Sequence, residues 1–393
     1  KLKSKIIQDN STLENSFNIK MYSNDFNIET EFKSYENLNK NDSDRYEYIL
    51  PKLTLVKKIE NKTNFNGDFS FKSQGIMRNY DTNIYEKINI NDFIFNSSPK
   101  ITKNGFYNNF EFIFKNSNTD TQKSSNFKEG ENYYVSSLFQ FNTSLPLIKE
   151  NENYQNILKP KMSIKIAPNN SKNLSDRYSR IDVNNIYSLN RISEDDVIEG
   201  GVSVAYGNDF SIFDKKDSKE IFNLKLANNL RIKENDDLPQ NNQIGQKTSN
   251  FFSEISYSPN NIITAKYNTS IKNNLSDINY ENLITEFRLN NIVTTFDYLN
   301  ENDSTDKNSY LKNTTKLIID DFNSLSFSTR ENKKLNLTEY YNLIYQYRND
   351  CLAASVEYNK DFYSDRDLKP EENIFFKLTI IPFGETSSPN LNN

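Results

Sequence analysis

The sequence predicts an all-β chain built as a large antiparallel transmembrane β-barrel, and three observations carry that reading. Polarity alternates with period two along most of the chain. Tight turns and longer polar loops alternate between successive strands. The composition joins few aliphatic residues to many aromatic ones: of 393 residues, 35% are hydrophobic, yet 24 are Tyr and 28 are Phe. A globular core of this length needs more aliphatic side chains, and disordered chains are poor in aromatics. Strands with one apolar and one wet face satisfy both constraints, because a wide barrel needs only its outward face apolar.

Period-two strands are readable in order at 46–57, 106–115, 133–144, 161–168, 197–206, 221–232, 251–258, 261–270, 279–289, 292–299, 310–319 and 322–330, then at three C-terminal segments. At 337–348 the odd positions read Leu337, Glu339, Tyr341, Leu343, Tyr345 and Tyr347. At 351–362, Leu352, Ala354, Val356 and Tyr358 lie on one side, with Ser355, Glu357 and Asn359 on the other. At 373–383, Ile374, Phe376, Leu378 and Ile380 alternate with Lys377 and Thr379. No 3.6-residue stripe of any length is present. The rhythm implies about 18–20 strands.

Connections supply the second regularity. Tight turns fall at 258–261, 290–291, 320–321 and 349–350; longer polar loops fall at 233–250, 271–278, 300–309, 331–336 and 363–373. Strands of about ten residues with short turns at one end and long loops at the other are the pattern of an outer-membrane barrel, and closure disposes of the exposed edges. A soluble sandwich uses shorter strands and mixed connections. Tyr257, Tyr267, Phe287, Tyr298, Tyr345, Tyr347 and Tyr358 lie near strand ends, as aromatic girdles require, although aromatics are good strand formers in any case. One barrel domain spans 1–386, followed by a disordered tail at 387–393. Loop 235–248 is polar enough to be mobile, and Gly200–Gly201 marks either a bulge where another backbone approaches or a weak point in a strand.

Composition also excludes functions. With no His and one Cys, the usual general base, the thiolate zinc site and the His-dependent nucleophile arrangements are all missing. The chain is read as a non-enzyme without cofactor. Its 48 Lys+Arg against 53 Asp+Glu, with no basic block, argue against nucleic-acid binding. No run approaches 18 apolar residues, so no transmembrane helix is expected. The start at Lys1-Leu2-Lys3, without Met or signal peptide, reads as a fragment. Acidic pairs such as Asp195-Asp196, Asp236-Asp237 and Asp320-Asp321 sit in loops or turns without the spacing of a calcium site, so no metal is expected.

Four blocks go beyond class. Asp44-Arg45-Tyr46-Glu47-Tyr48-Ile49-Leu50-Pro51 leads into a strand. Leu158-Lys159-Pro160-Lys161 precedes Ala167-Pro168-Asn169-Asn170. Asn190-Arg191 precedes Glu199-Gly200-Gly201 and Tyr206-Gly207. Tyr347-Arg348-Asn349-Asp350-Cys351 precedes Asp365-Arg366-Asp367 and Lys369-Pro370. In this order they resemble the LPS-assembly outer-membrane protein (LptD) family. The resemblance implies a lipopolysaccharide translocon in the cell outer membrane of a Gram-negative bacterium. It implies a barrel of about 26 strands preceded by a periplasmic jellyroll, with an LptE-like lipoprotein plug and an LptA-like periplasmic bridge protein as partners. Lipopolysaccharide would leave through a seam between first and last strands. This chain then corresponds to the central and C-terminal barrel, lacking the first gate strand, with Phe375, Lys377 and Thr379 on the last one.

Cys351 follows a tight turn and alternates with lumen-side residues, which puts it at the periplasmic mouth, facing inward in an oxidising compartment. The plainer role of a lone Cys is a small buried hydrophobe. The resemblance implies a disulfide from Cys351 to the jellyroll, although the family often has two adjacent Cys here and this chain has one. Lumen-side cations Lys266, Arg288, Lys312, Lys316, Arg330 and Arg348 are candidate contacts for lipopolysaccharide phosphates; interspersed charge on a wetted wall is the plainer reading, and Glu286 beside Arg288 illustrates it. Two other classes remain open. A porin or receptor barrel would show a lumen-constricting loop or a plug domain, and a soluble extracellular β-rich binding protein would need no detergent.

Overall fold

The structure, a computed structural model, describes residues 12–37, 40, 42–63, 65–168, 172–192, 194–302, 308–362, 371–381, 384–387 and 391–392. Among them, 23 strands form one sheet, and the only helical element is a 3-10 turn at Asp42–Arg45. The first ten strands are β1 (Thr12–Tyr22), β2 (Phe26–Asn37), β3 (Tyr46–Ile59), β4 (Gly67–Tyr80), β5 (Ile84–Ser97), β6 (Lys100–Ile101), β7 (Tyr107–Gln122), β8 (Gly130–Ser144), β9 (Leu147–Glu150) and β10 (Tyr154–Ala167). After a long connection come β11 (Gly201–Asp214), β12 (Lys219–Arg231), β13 (Phe251–Tyr257), β14 (Ile263–Ile271), β15 (Ile278–Leu289), β16 (Ile292–Glu301), β17 (Ser309–Ile318) and β18 (Asn323–Asn332). The chain ends with β19 (Leu337–Arg348), β20 (Leu352–Asp361), β21 (Glu372–Ile380), β22 (Gly384–Ser387) and β23 (Leu391–Asn392).

Nineteen of these strands have seven residues or more, and they form one antiparallel meander in which each pairs with the next. The short β6 and β9 pair with β7 and β10, while β22 and β23 take the far side of β21. Among the described residues β1 pairs with β2 alone, so the sheet is not closed. The expected all-β meander of long strands is therefore what forms.

Register follows alternation. Val356 stands opposite Tyr345 on one side and Phe376 on the other, while Ser355 stands opposite Gln346 and Lys377. A slip of one residue would exchange the apolar and polar faces of the whole strand. Short-range polar chemistry closes the tight turns. The Asn349 Oδ1 accepts the N–H groups of Cys351 at 3.0 Å and Leu352 at 2.8 Å. Asp320 does the same for Phe322 and Asn323, and Asn260 for Ile262 and Ile263. A side-chain oxygen that mimics the missing ladder carbonyl is why Asn and Asp recur there.

Three expectations need correction. The strand read at 197–206 starts only at Gly201: Val197, Ile198 and Glu199 are buried in the preceding connection, whose apolar run mimics a strand. Loop 235–248 is packed rather than free, with Ile244 0% exposed and Leu238 2%. The rhythm is also not continuous, because the described residues of 168–200 contain no strand. Four strands, β1, β2, β4 and β5, lie in stretches where Lys, Asn and Glu fall on both faces and blur the alternation. Of the blocks quoted above, Asn169, Asn170, Asp365 to Asp367, Lys369 and Pro370 lie outside the described residues, as does much of the tail.

Candidate functional site

One face of the sheet carries exposed apolar side chains, including Phe139, Met162, Ile166, Tyr206 and Leu230. The other carries Lys115, Gln140, Lys165, Ser203, Asn229 and Arg231, all buried. Strands whose polar face is the covered one are inverted relative to a soluble sheet, and fit a barrel with lipid outside.

What covers the polar face is the connection 172–200, joined by 233–250. At one end of it Asp195 meets Lys72 of β4 at 3.8 Å, and its carbonyl accepts from Lys115 of β7 at 2.5 Å. At the other, Tyr178 donates to Glu301 of β16 at 3.1 Å. Ten strand intervals separate β4 from β16, about 48 Å along a sheet at ~4.8 Å each. The stretch between Tyr178 and Asp195 is folded into turns, with Ile186 N–H donating to Asp182 and Ser188 N–H to Asn185. It bridges the two walls because the sheet curls around it. The covered face is the lumen, and the segment is a plug.

The plug is held first by apolar burial. Leu174, Ile181, Val183, Ile186, Ile192 and Val197 pack with Ala205, Ala227 and Phe252 of the wall and with Leu238 and Ile244 of the second loop. Small wall residues admit the plug closely. Tyr187 lies over Gly207, where any Cβ would strike its hydroxyl, and burial together with nearby Asp209 raises the pKa of that phenol.

Charge then sets the register. Arg191, 1% exposed, forms a bidentate fork on Glu199, with Nε to Oε2 at 2.6 Å and Nη2 to Oε1 at 2.5 Å. Its remaining donors reach Asn229 Oδ1 at 2.9 Å, Ser203 Oγ at 2.9 Å and the Ile186 carbonyl at 3.2 Å. Arg231 of β12 also donates to Glu199, and to the carbonyls of Gly200 at 2.7 Å and Ile244 at 3.1 Å. Lys165 of β10 donates to the Ser188 carbonyl. Burial alone would raise the Glu199 carboxyl; the Arg191, Lys165 and Arg231 cations overcome it and hold its pKa at about 2. Gly201 completes the arrangement. Its φ of +93° favours glycine, and a Cβ there would sit 2.8 Å from Arg231 Nη1. The Gly200–Gly201 pair thus marks the close approach of a guanidinium, not a weak strand.

The predicted cations divide into two sets. Lys266, Arg288, Lys312, Lys316, Arg330 and Arg348 all alternate onto the lumen face. Three are neutralised: Lys266 by Glu254 at 3.0 Å, Arg288 by Glu286 at 2.6 Å, and Arg330 by Glu339 with its guanidinium 4.9 Å over Tyr310. Lys312, Lys316 and Arg348 form no ion pair among the described residues. They stand on β17 and β19, where Lys312 lies opposite Asp297 and Arg330, Lys316 opposite Val293 and Ser326, and Arg348 opposite Ala353; among the described residues neither plug segment forms a hydrogen bond or ion pair with them. Phe375, Lys377 and Thr379 face the lumen from β21, opposite Glu357, Ser355 and Ala353. Cys351 is an exposed free thiol beside the turn at Asn349. No group of three His, Cys, Asp or Glu residues among those described is placed to hold a metal.

Sequence reasoning passed over the buried charges of Arg191, Glu199, Arg231 and Lys165 as sites. A usable signal was present for one of them: Arg191 occupies a long stretch without period two, whereas Glu199 fell inside the segment read as a strand at 197–206.

An antiparallel meander of long strands, apolar outside and plugged within, defines an outer-membrane β-barrel. The family model described as "LptD: LPS transport system D" matches residues 2–331. The chain belongs to the LptD family, which places it in the Gram-negative outer membrane and in lipopolysaccharide transport. Comparison with curated proteins returns no match. Among solved structures, the ferric enterobactin receptor PfeA of Pseudomonas aeruginosa (Q482A mutant, in complex with enterobactin) is 9% identical, with a TM-score of 0.44 over 94% of this chain and 71% of that one. The siderophore receptor PirA from Acinetobacter baumannii is 8% identical, with a TM-score of 0.45 over 95% and 72%. No inference about ligand follows from likenesses of this size.

Proposed function

We propose that this barrel passes lipopolysaccharide through its lumen and inserts it into the outer leaflet through a parting seam. The observation that carries the reading is the family match over residues 2–331. The lumen supports it by its asymmetry. The half walled by β4 to β16 is filled by the chain's own plug, while β17 to β20 present Lys312, Lys316 and Arg348 among Ser and Asn side chains, with Glu357 and Asp361 on the same face. A hydrated strip that carries three cations outside any ion pair among the described residues suits an anionic sugar–phosphate cargo. The chain performs no bond chemistry in this reading; its residues bind, orient and let pass. An LptE-like lipoprotein would occupy the uncovered half, an LptA-like bridge protein would deliver from the periplasm, and Cys351 would bond to a Cys of the preceding domain. Phe375, Lys377 and Thr379 would line one lip of the seam.

The test is depletion of the full-length protein in its host, with lipopolysaccharide assayed at the cell surface. Newly made lipopolysaccharide is expected to stop reaching the outer leaflet while porins still assemble. Unchanged surface lipopolysaccharide overturns the reading. The in-turned plug is the feature a receptor or porin would show, so that outcome would redirect attention to uptake of a small solute.

A further inference from the structure

The outward face of β4, β5, β7 and β8 changes chemistry along its height. These strands have 14, 14, 16 and 15 residues, whereas about 9–11 tilted residues cross a bilayer. Toward one end the outward residues are Phe69, Phe93, Phe95, Phe110 and Phe139, with neighbouring ring centroids 4.5 to 6.1 Å apart. That is lipid-facing chemistry. Further along β4, β5 and β7 the same face becomes Ser73, Asn89, Asn91, Asn116 and Asn118, while β8 keeps the exposed Val135 opposite Asn116. Ser73 stands opposite Asn91, Asn91 opposite Asn116, and Asn89 opposite Asn118. Asn is disfavoured in strands, so a block of four on one face is unexpected on propensity alone.

The amides form a ladder. Ser73 donates to Asn91 at 2.7 Å; Asn91 donates to Asn89 at 2.6 Å and to Asn116 at 3.3 Å; Asn116 and Asn118 donate to each other at 3.1 and 2.7 Å. Each amide offers two N–H donors. Among the described residues Asn91 therefore spends both, Asn116 and Asn118 spend one each, and Asn89 spends neither. Unspent amide donors have no place against hydrocarbon, which offers no acceptor. They belong in a layer rich in oxygen. Beside them Tyr133 of β8, opposite Asn118, is 74% exposed and leaves its ring bare. Amide donors next to a bare aromatic face complement a sugar, whose hydroxyl oxygens accept and whose C–H faces lie on the ring.

Location agrees with this. The ladder lies toward the strand ends shared with the 168–200 connection and with the longer loops between β14 and β19, although the β4–β5 turn at 81–83 on that side is short. The tight turns at Asn260, Asp320 and Asn349 lie at the opposite end. Long loops mark the outer side of such barrels and short turns the periplasmic side. The phenylalanine rows thus lie in the bilayer, and the amide rows stand at the outer-leaflet headgroups.

We propose that Asn89, Asn116 and Asn118, held in place by Ser73 and Asn91 and flanked by Tyr133, bind the saccharide of a glycolipid standing in the outer leaflet. The proposal takes only the name of that glycolipid, lipopolysaccharide, from the reading above. The test uses the full-length protein in phosphatidylcholine nanodiscs, titrated with delipidated core oligosaccharide and separately with inorganic phosphate. Saturable oligosaccharide binding is expected, weakened tenfold or more in the N89A/N116A/N118A variant and several-fold in Y133A, with phosphate failing to compete. Equal affinity of both variants and the wild type, or no binding by the wild type, overturns the proposal. Full competition by phosphate also overturns it, in favour of a phosphate headgroup. If the triple variant loses heat-modifiable migration, Y133A decides, because so exposed a side chain does not support the fold. Binding retained while depletion leaves surface lipopolysaccharide unchanged would sink the transport reading and leave this one standing.

Discussion

Replacing Glu199 by Gln keeps the shape of the plug contact and removes the one carboxylate that, among the described residues, pairs with both Arg191 and Arg231. Two guanidiniums, with Lys165 near them, are then left in a region where Arg191 is 1% exposed and Arg231 4%. Removing one partner of a buried ion pair costs about 3–5 kcal/mol. The carboxyl gives an independent figure: a fall from its ordinary 4.5 to about 2 corresponds to about 3 kcal/mol at 1.36 kcal/mol per pH unit. Both routes imply that E199Q raises the opening equilibrium of the plug by about a hundredfold or more. Amide hydrogen exchange read by mass spectrometry on the refolded full-length barrel checks this, since local opening sets the exchange rate. Peptides covering 178–192 should exchange about two orders of magnitude faster in E199Q, and those covering β17 to β20 should not change. Identical exchange over 178–192 would refute the claim that this cluster locks the plug. The sign of the pH effect follows from the depressed pKa. Stabilisation is complete above about 4.5 and drains away between there and about 2. Conductance of the wild-type barrel should rise above its pH 6 level only below about pH 4, as the plugged half opens, whereas E199Q should conduct more than the wild type already at pH 6.

Further expectations test other parts of the structure. Gly201→Ala forces a Cβ at φ +93° to within 2.8 Å of Arg231 Nη1, and should cost roughly 1–3 kcal/mol in urea refolding titrations. Truncating Ile186, 0% exposed in the plug core, to Ala should cost about 2–5 kcal/mol by the same measurement. The K312A/K316A/R348A triple should slow lipopolysaccharide appearance at the surface several-fold with unchanged heat-modifiable migration. Lys266→Ala, which removes a cation already paired with Glu254, should slow it far less. Cys351→Ser in the full-length protein should abolish a redox-sensitive gel shift, and a persisting shift would remove the interdomain disulfide.

The C-terminal half was legible because each strand there obeys one rule. Leu352, Ala354, Val356 and Tyr358 meet lipid while their neighbours meet water, so periodicity alone orders them. The tight turns were legible for a related reason: Asn349 and Asp320 use a short side chain to close the chain locally. The plug was not legible, because its partners are remote. Ile186 and Val197 look like strand residues until Phe252 and Ala227 are brought to them, and Arg191 looks like a surface cation until Glu199 and Arg231 surround it. The six candidate lumen cations share one face by register. Alternation could not assign the partners, because Glu254, Glu286 and Glu339 reach their cations by cross-strand register or local side-chain geometry.

The span of the plug bears on the order in which the protein assembles. Every ladder in the meander joins neighbours in sequence, so hairpins such as β19–β20 can close within a few tens of residues. The plug contacts are of another kind: Tyr178 reaches Glu301, 123 residues later, and Asp195 reaches back to Lys72. Such long closures form late, since their chain entropy must be lost before any contact offsets it. A nascent barrel therefore passes through a stage with its wall in the membrane and the pairs Tyr178–Glu301 and Lys72–Asp195 still apart. The half of the lumen walled by β4 to β16 is filled only when both flanks of that wall are in place. Filling reports completion, so a barrel arrested with part of that wall missing would keep an open channel there before it failed to fold.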